Sequence, residues 1–514
     1  MEADKPFDST ALADAVLRSS DNVHFYVLGA FLRYVSPIFR DLFWLSRGSA
    51  SESDENETKD GYQVIPLPED SKTIRYLLSV IHPYINRPKL DDSRLLHNVW
   101  KMAEKYGMDT VVGKLQKQLL EDQWMKDQPH RVFAIATILG WQDGAEKAKQ
   151  TLASWEEVPY CDLFEDISGT DYYGLWEYHF RRAAPGERQA EQDEKDTSVD
   201  NTVDSTHSSS SGVDTSGLLN SFSNSKVDVI LRSSDGVDFY LSRPFLQLFS
   251  SAFDEPLSDA KGESKNGLTV VCVTDDSKAL HYFLFALHRP MEKLPVKNLG
   301  LIVDICIVAR KYCVAIVEAR LKEQLATSSS LVENPLCVYA IAIALGWGDV
   351  AKAAAKNTLN VPVEKAVTRI PELRGITGAD LYRLIDYRTK CTKAACDVLE
   401  NNQVHRAHGP NHIVSNFRVH GPYGMVIYSQ SLNNVETELA KELAKCPRGS
   451  TYRDILSRLM KVVNDNCGSG RNAPYLSISS AIGFFSCWIN VADAIEQEVD
   501  KVVFRRRRLR DNER

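Results

Sequence analysis

Two stretches of ten residues decide the fold of this chain, LRSSDNVHFY at Leu17–Tyr26 and LRSSDGVDFY at Leu231–Tyr240. They are identical at eight of the ten positions. Each predicts a β-hairpin, because strand-forming residues flank a pair that tolerates the left-handed backbone of a tight turn. That pair is Asp21-Asn22 in the first stretch and Asp235-Gly236 in the second. The chain therefore predicts the same strand pairing twice.

The similarity between the two stretches continues over the length of a domain. Four further motifs recur in the same order: DSK (Asp70–Lys72; Asp276–Lys278), A-x-K-Y (Ala103–Tyr106; Ala309–Tyr312), V-[FY]-A-I-A-x-x-L-G-W (Val132–Trp141; Val338–Trp347) and G-x-D-x-Y (Gly169–Tyr173; Gly378–Tyr382). A repeat this long exceeds the period of about 20–50 residues that solenoids show, so it indicates a duplicated domain. A chain that carries one surface twice can bind bivalently.

The residues after each hairpin predict one helix with an apolar stripe. The stripe contains Phe31, Leu32, Val35, Phe39 and Leu42 in the first copy and Phe245, Leu246, Phe249 and Phe253 in the second. Ser36 and Ser250 lie inside it, where a hydroxyl can bond a carbonyl one turn back. A short strand follows at Gln63–Leu67 and at Thr269–Val273, and after it only helical patterns remain. The predicted fold class is α+β, mostly α.

Two tryptophans recur at the end of a predicted helix. Gly140-Trp141 and Gly346-Trp347 mark that end, and we expect both rings to close a helix pair in the core. Asp143 and Asp349 follow at positions where they could cap the next helix.

The negative charge of the chain is concentrated in two segments. Ala183–Ser225 carries a net charge of −6 and Ser51–Asp60 one of −4, so of the total of −8 the remainder is +2 and close to neutral. Direct nucleic-acid binding through a broad basic face is therefore not expected. Ala183–Ser225 is rich in Ser, Thr, Asp and Glu and predicts a disordered acidic linker, because it cannot bury enough apolar surface to order itself.

The sequence predicts an intracellular chain, cytoplasmic, nuclear or both. Its ten cysteines are scattered, and MEADKPFDST lacks the features of a signal peptide. Ala473–Ala492 carries no charge over a length that could span a bilayer, but serines, Asn490 and Pro474 dilute it. We expect this stretch to be a buried helix, and no membrane partner.

The candidate metal ligands are clustered histidines. His405, His408 and His412, completed by Cys446 or Cys467, could form a tetrahedral zinc site. The alternative is a polar connector, which the turn signals HGPNH and HGPYG favour, so we expect no metal and no cofactor. No phosphate-binding glycine loop, nucleophile elbow or zincin helix occurs in the sequence, so we predict no catalytic residues and no enzyme activity.

The repeated motifs resemble the BTB/POZ domain. A hairpin followed by L-x-x-x-S-x-x-F is typical of its opening, and A-x-K-Y of its last core helix. The matching core residues are Phe25, Val27, Leu32, Ser36 and Phe39, and again Phe239, Leu241, Leu246, Ser250 and Phe253. The motif ending in LGW resembles the helical extension of fungal BTB-domain proteins. The resemblance covers Leu12–Arg182, called repeat 1 below, and Lys226–Lys393, called repeat 2.

The repeat and the charge pattern together divide the chain into six parts. These are a first BTB/POZ-like domain (1–125), its helical extension (126–182), the acidic linker (183–225), a second BTB/POZ-like domain (226–328), its extension (329–396) and a C-terminal helical region with a basic tail (397–514).

The resemblance implies a charged partner-binding pocket in one copy. Many family members pair a basic residue after the second strand with an aspartate that opens the first strand. Asp228 and Arg243 could form this pair, whereas Asp14 faces Gly29 at the corresponding place, so we expect that the first copy has lost it. The alternative for Asp228 and Arg243 is a weak, exposed ion pair without a partner.

The resemblance implies protein partners and a non-catalytic adaptor function. Family behaviour includes dimerisation, recruitment of a cullin-type ubiquitin ligase and assembly of transcription regulators. The two copies could therefore form a homo-oligomer or an intramolecular pseudo-dimer. The alternative functions are a substrate-recruiting subunit of a cullin ligase and a nuclear transcription regulator.

A run of arginines near the C-terminus is the candidate nuclear import signal. It consists of Arg505, Arg506, Arg507 and Arg508. Such a basic run suits recognition by an import receptor. The alternative is a solvated end of the last helix, where arginines interact favourably with the helix dipole.

Overall fold

The structure is a computed structural model of the chain. It describes residues 1–48, 58–82, 92–121, 123–155, 157–183, 227–253, 264–401, 441–455, 457–458, 491–502 and 504. The chain divides into two compact units, Met1–Ile167 with Gly174–Arg188, and Ser168–Tyr173 with Gln189–Arg514. Most of the predicted acidic linker lies outside the described residues.

The first unit contains a four-stranded sheet of order β2-β1-β4-β3. Its strands are β1 (Ala15–Arg18), β2 (His24–Val27), β3 (Thr58–Lys59) and β4 (Tyr62–Pro66). The central strand β1 is antiparallel to β2, with Leu17 opposite Phe25, and parallel to β4, with Leu17 opposite Ile65. Asn22 has a φ of 65° between β1 and β2, so the tight turn that the sequence predicted is confirmed.

The predicted first helix is two helices, α1 (Gly29–Val35) and α2 (Pro37–Gly48). Ser36 separates them with an extended backbone (φ −138°, ψ 117°), so the prediction that it bonds a carbonyl one turn back was wrong. Pro37 favours the break, because proline disfavours the helical conformation in the residue before it and suits a first helical position. The freed Ser36 hydroxyl donates to the Tyr106 carbonyl, and its oxygen accepts from the Phe39 amide at 3.0 Å.

Helices form the rest of the chain up to the linker. They are α3 (Ser71–Ile81), α4 (Ser93–Lys105), α5 (Asp109–Glu121), α6 (Gln123–Asp127), α7 (Pro129–Ile138), α8 (Gln142–Leu152) and α9 (Gly169–Ala183), with a short 3-10 helix at Asp162–Glu165. Asp70 caps α3 by accepting from the Thr73 amide at 2.8 Å. Trp141, not Asp143, precedes α8 at the cap position, and it makes no side-chain cap bond.

The second unit contains a sheet with the same order, β6-β5-β8-β7. Its strands are β5 (Val229–Arg232), β6 (Asp238–Leu241), β7 (Ser264–Lys265) and β8 (Leu268–Cys272). Leu231 lies opposite Phe239 on one side and Val271 on the other, which is the pairing of Leu17 at the corresponding place. Gly236 supplies the positive φ, 83°, of the turn.

The helices of the second unit follow the order of the first. They are α10 (Arg243–Phe249), α11 (Ser277–His288), α12 (Leu301–Lys311), α13 (Ala315–Ala326), α14 (Ser330–Glu333), α15 (Pro335–Ala344), α16 (Gly348–Thr358), α17 (Val363–Ala366) and α18 (Gly378–Asn401), with 3-10 helices at Ser251–Phe253 and Pro371–Gly375. Ser250 is extended at the end of α10, as Ser36 is after α1. Trp347 is buried, and its Nε1 donates to Glu318 at 2.9 Å.

The C-terminal region packs on α18 through a buried arginine and an aromatic contact. Its described helical residues are 441–445, 449–455, 457–458 and 491–501. Arg388 is buried and donates to the carbonyls of Thr358, of Val361 at 3.0 Å and of Lys445 at 3.2 Å. Burial lowers its pKa to about 10. The ring of Phe504 meets Tyr387 edge to face, with centroids 5.6 Å apart.

Candidate functional site

The DSK motif connects each hairpin turn to the helix after the sheet. The Asp21 carboxylate accepts from the Ser71 amide at 2.9 Å and from its hydroxyl at 2.6 Å. Asp235 accepts from the Ser277 amide at 3.0 Å and from its hydroxyl at 2.6 Å. Because Ser71 begins α3 and Ser277 begins α11, the hairpin and the helix hold one another in place.

The A-x-K-Y motif holds one carboxylate at the end of a helix. Lys105 Nζ lies 2.7 Å from Glu69 Oε1, and the Tyr106 hydroxyl donates to Glu69 Oε2 at 3.1 Å. The corresponding set in repeat 2 consists of Asp275, Lys311 and Tyr312, with both distances 2.7 Å. Burial and the neighbouring carboxylate raise the tyrosine pKa in both copies. These contacts hold the end of α4 in repeat 1 and the end of α12 in repeat 2 in place. The first helices of each repeat pack against these ends.

The predicted pair Asp228 and Arg243 is adjacent in the structure. Asp228 Oδ1 accepts a hydrogen bond of 2.7 Å from the backbone amide of Arg243 at the start of α10. The Asp228 carboxylate thus satisfies the first amide of that helix and lies beside its positive end.

The first copy has a cation beside its aspartate, contrary to the sequence prediction. Asp14 accepts from the Gly29 amide, as Asp228 does from Arg243, and its other oxygen lies 3.4 Å from Arg33 Nη2. The Arg33 guanidinium is 5.1 Å from the centroid of the Phe43 ring. The missing basic residue at Gly29 is therefore replaced from one turn further along α1.

An exposed apolar residue recurs on the first helix of each repeat. Tyr34 on α1 is 90% exposed, and Leu248 on α10 is 77% exposed. These two positions correspond in the repeat, since each follows the aligned Phe25 or Phe239 by nine residues. Ile38, at the start of α2, is 40% exposed in the first copy. A single exposed apolar residue is ordinary, but its recurrence at one position is not accounted for by packing.

A charged network lies beside the second hairpin. Asp238 Oδ1 is 2.7 Å from Arg232 Nε, and its Oδ2 is 2.6 Å from Lys265 Nζ. These cations lower the Asp238 pKa to about 2. Asp238 replaces His24 of the first hairpin, so the two copies differ in charge at this edge.

The buried thiols are unsuited to nucleophilic chemistry. Burial raises the pKa of Cys161, Cys306 and Cys337 to about 12, so each remains a neutral thiol at physiological pH. Among the residues that the structure describes, no group of three or more His, Cys, Asp or Glu side chains could hold a metal ion. Within the same residues, no helix is both long and apolar enough to cross a membrane.

Several predicted site residues fall outside the described part of the chain. These are the histidines His405, His408 and His412, all of Ala473–Ala492 except its last two residues, and the four arginines of the candidate import signal, Arg505, Arg506, Arg507 and Arg508. The expectation that these histidines hold no metal, and the candidate nuclear import signal, therefore stay predictions from the sequence.

The predicted core residues lie inside the described part. Seven of them are at most 1% exposed (Phe25, Leu32, Ser36, Phe39, Phe239, Leu246 and Phe253), and Ser250 is partly buried. The residues that define the repeated motif therefore form the packing core of each unit.

Three residues of the candidate site were not predicted from the sequence, Arg33, Tyr34 and Leu248. In the alignment of the two repeats, Gly29 and not Arg33 corresponds to Arg243, so the sequence did not identify Arg33 as the cation of the first copy. Tyr34 and Leu248 could have been found by comparing the helical face opposite the stripe in both copies, since each is apolar where a polar residue is expected.

Residues 3–123 match the BTB/POZ domain family, so the chain contains a BTB/POZ domain there. The match covers about a quarter of the chain. No curated protein matches the chain. BTB/POZ domains mediate protein–protein interaction and oligomerisation, so this domain supports an interaction role with protein partners.

Proposed function

We propose that the chain is a non-catalytic adaptor with two BTB/POZ-like domains, residues 1–125 and 226–328, each followed by a helical extension. The observation that carries this proposal is the repetition of one structure in both units. Strand order, strand register, the hairpin-to-helix hydrogen bonds and the carboxylate held by the A-x-K-Y motif all recur. Such agreement across unrelated contacts is what a duplicated fold produces.

The proposed interaction is self-association through the first helices. Tyr34 and Leu248 present large apolar side chains to solvent on α1 and α10, and covering them with a second such face removes apolar surface from water. The partner face is the other repeat of the same chain or a repeat of a second copy. In either case a first helix, α1 or α10, pairs with an equivalent first helix, as surfaces do across a twofold axis.

Amide hydrogen exchange of the full chain tests this proposal. We expect the variant Tyr34→Asp/Leu248→Asp to exchange at least about tenfold faster than wild type in residues 29–35 and 243–249, because a buried carboxylate opposes association. Met291→Asp is the control, since Met291 is 96% exposed and lies outside both helices. Equal exchange in wild type and both variants would overturn the proposal. Protection that grows with protein concentration indicates pairing between chains.

Two narrower functions are compatible with the adaptor role. Recruitment of a cullin-type ubiquitin ligase is a property that the BTB/POZ resemblance suggests, and the charged position at Asp228 and Arg243 is its candidate contact. Nuclear regulation rests on the tail Arg505–Arg508, which lies outside the described residues. Both are refinements of the same binding function.

A further inference from the structure

The second unit contains a cavity of about 400 Å³ at a place that an arginine side chain occupies in repeat 1. The cavity lies between the start of α12, one side of α15 and the 3-10 helix Pro371–Gly375. Its lining includes Gly300, Asp304, Ile341, Ala344, Glu372 and Gly375. None of these residues belongs to α10 or to the hairpin, so the cavity is not part of the self-association surface.

The corresponding place in repeat 1 is occupied by the side chain of Arg94. Arg94 lies at the start of α4, and its guanidinium is ion-paired with Asp166 and lies 3.8 Å from Asp162. Asp162 also lies 3.4 Å from Arg131. A guanidinium therefore bridges the first turn of α4 to the 3-10 helix that precedes α9.

The repeat register shows which side chains repeat 2 has lost. Counting back from the aligned tyrosines of the A-x-K-Y motif, Gly300 takes the position of Arg94. Counting back from the aligned glycines that begin α9 and α18, Gly375 takes the position of Asp166. Both members of the ion pair are thus glycine in repeat 2, and the cavity remains where they would lie.

The cavity keeps the charge that suits a guanidinium. A Cβ built on Gly300 would lie 3.4 Å from Glu372 Oε1 and 3.3 Å from Asn298 Oδ1, so the Glu372 carboxylate lies directly beside this position. Asp304 supplies a second carboxylate, whose pKa is raised by desolvation and by the charge of Asp276. No cation among the described residues lines the cavity.

The walls of the cavity suit the rest of an arginine side chain. Ile341 and Ala344 on α15 provide apolar surface, along which the methylene stem can lie while the planar head reaches the carboxylates. Arginine fits better than lysine because its fork donates to two acceptors at once and is more weakly hydrated.

We propose that this cavity binds an arginine side chain of a partner polypeptide, with the guanidinium on Glu372 and Asp304 and the stem against Ile341 and Ala344. The proposal is independent of self-association through α1 and α10. It gives repeat 2 a specificity that repeat 1, whose own Arg94 fills the place, does not have.

A titration of the full chain with two matched peptides tests the proposal. Methyl resonances of Ile341 and Ala344 are followed while acetyl-Ala-Ala-Arg-Ala-Ala-amide or the same peptide with citrulline is added. Citrulline keeps the shape of arginine but carries no charge. We expect saturable shifts with the arginine peptide and binding at least about tenfold weaker with citrulline, since an ion pair between partly buried groups is lost. Equal binding of the two peptides would overturn the proposal.

Two variants separate a specific site from general attraction. Gly300→Arg places a guanidinium in the cavity from within, and the ordinary φ of Gly300, −58°, accepts a side chain. Glu372→Gln removes the carboxylate while keeping the shape. Both are expected to weaken binding of the arginine peptide at least about tenfold, while distant methyl resonances keep their positions. Undiminished binding by either folded variant contradicts the proposal.

A variant of the C-terminal tail shows whether the bound arginine belongs to another chain or to this one. Phe504 contacts Tyr339 on α15, the helix that lines the cavity, and Arg505 follows it in the sequence. We expect that replacing Arg505–Arg508 with alanine leaves binding of the added peptide unchanged, because the occupant comes from another chain. Stronger binding in this variant would contradict that source and show that the tail of this chain is the occupant. Loss of the arginine preference in this variant would contradict the proposal.

Discussion

We expect Phe39→Ala to lower the free energy of unfolding of the first unit by about 3–5 kcal/mol. Phe39 is fully buried, and its ring stacks on Tyr106 with centroids 4.6 Å apart. Its amide also donates to Ser36, which bonds the Tyr106 carbonyl. The substitution therefore leaves a cavity at the contact that joins α2 to the end of α4. Chemical denaturation followed by hydrogen exchange, which resolves the two units, measures the loss.

The same substitution in repeat 2 is the matched test. Phe253 is 1% exposed and stacks on Tyr312 at 4.4 Å, so Phe253→Ala should destabilise the second unit by a similar amount. Leu12→Ala and Met291→Ala are the controls, because these side chains are 82% and 96% exposed and exposed side chains contribute within about 0.5 kcal/mol to folding. A small effect of either phenylalanine, or a large effect of either control on folding, would refute the equivalence of the two repeats.

Mild acid should destabilise the first unit through His130. This side chain is buried, its Nδ1 has no hydrogen-bond partner among the described residues, and burial lowers its pKa from 6.5 to about 4. The unfolded chain therefore takes up a proton at higher pH than the folded chain does. Stability is complete above about pH 6.5 and falls as the pH drops toward 4, by about 3 kcal/mol for this group.

The variant His130→Gln isolates that contribution. It cannot take up a proton, so the free energy of unfolding of the first unit should depend less on pH between about 6.5 and 4 than in wild type. His97, whose pKa is also lowered chiefly by burial, accounts for part of the remaining slope. Denaturant midpoints at closely spaced pH values provide the measurement. Parallel pH profiles for wild type and variant would show that His130 is not the responsible group.

The sheet and its turns could be predicted because local residues determine them. Asn22 and Gly236 supply the positive φ of the two turns, and the apolar residues that flank them form strands buried at consecutive residues, as in Ala15–Leu17 and Phe25–Val27. The predicted strands were shifted by one residue, since β4 is Tyr62–Pro66 and β8 is Leu268–Cys272. The sequence determines the first and last residues of a strand only weakly where the strand continues into a turn. The short strands β3 and β7 have too few residues to show any period.

Two of the failed predictions, the continuous helix through Ser36 and the cap at Asp143, involve competition between local signals. The apolar stripe predicted a continuous helix through Ser36, but Pro37 disfavours helical backbone at that residue. Repeat 2 has the same break at Ser250 without a proline after it, so the proline is not required for it. Asp143 was predicted as a cap, yet α8 begins earlier, at Gln142, with Trp141 before it. A Cβ on Gly144 would overlap the Trp141 ring, so that ring occupies the first turn of α8. Asp349 forms an ion pair with Lys322 at 2.9 Å.

The candidate site was harder to predict because it depends on tertiary neighbours. The position of Asp228 beside Arg243 followed from the resemblance, whereas the contact of Arg33 with Asp14 requires the three-dimensional path of α1. The cavity at Gly300 likewise becomes visible only when its place is compared with that of Arg94. Under the proposal that the chain carries two BTB/POZ-like domains, repeat 1 thus provides an internal comparison for repeat 2.

Site-specific photo-crosslinking of the full chain tests the central claim most directly. A p-benzoylphenylalanine is incorporated at position 34, at position 248 or at the control position 291, and crosslinked peptides are identified by mass spectrometry. If α1 and α10 are interaction faces, positions 34 and 248 give crosslinks to residues 29–48 or 243–253 of this protein, and position 291 does not. Crosslink yields that are equal at all three positions, or absent at 34 and 248, would contradict the account.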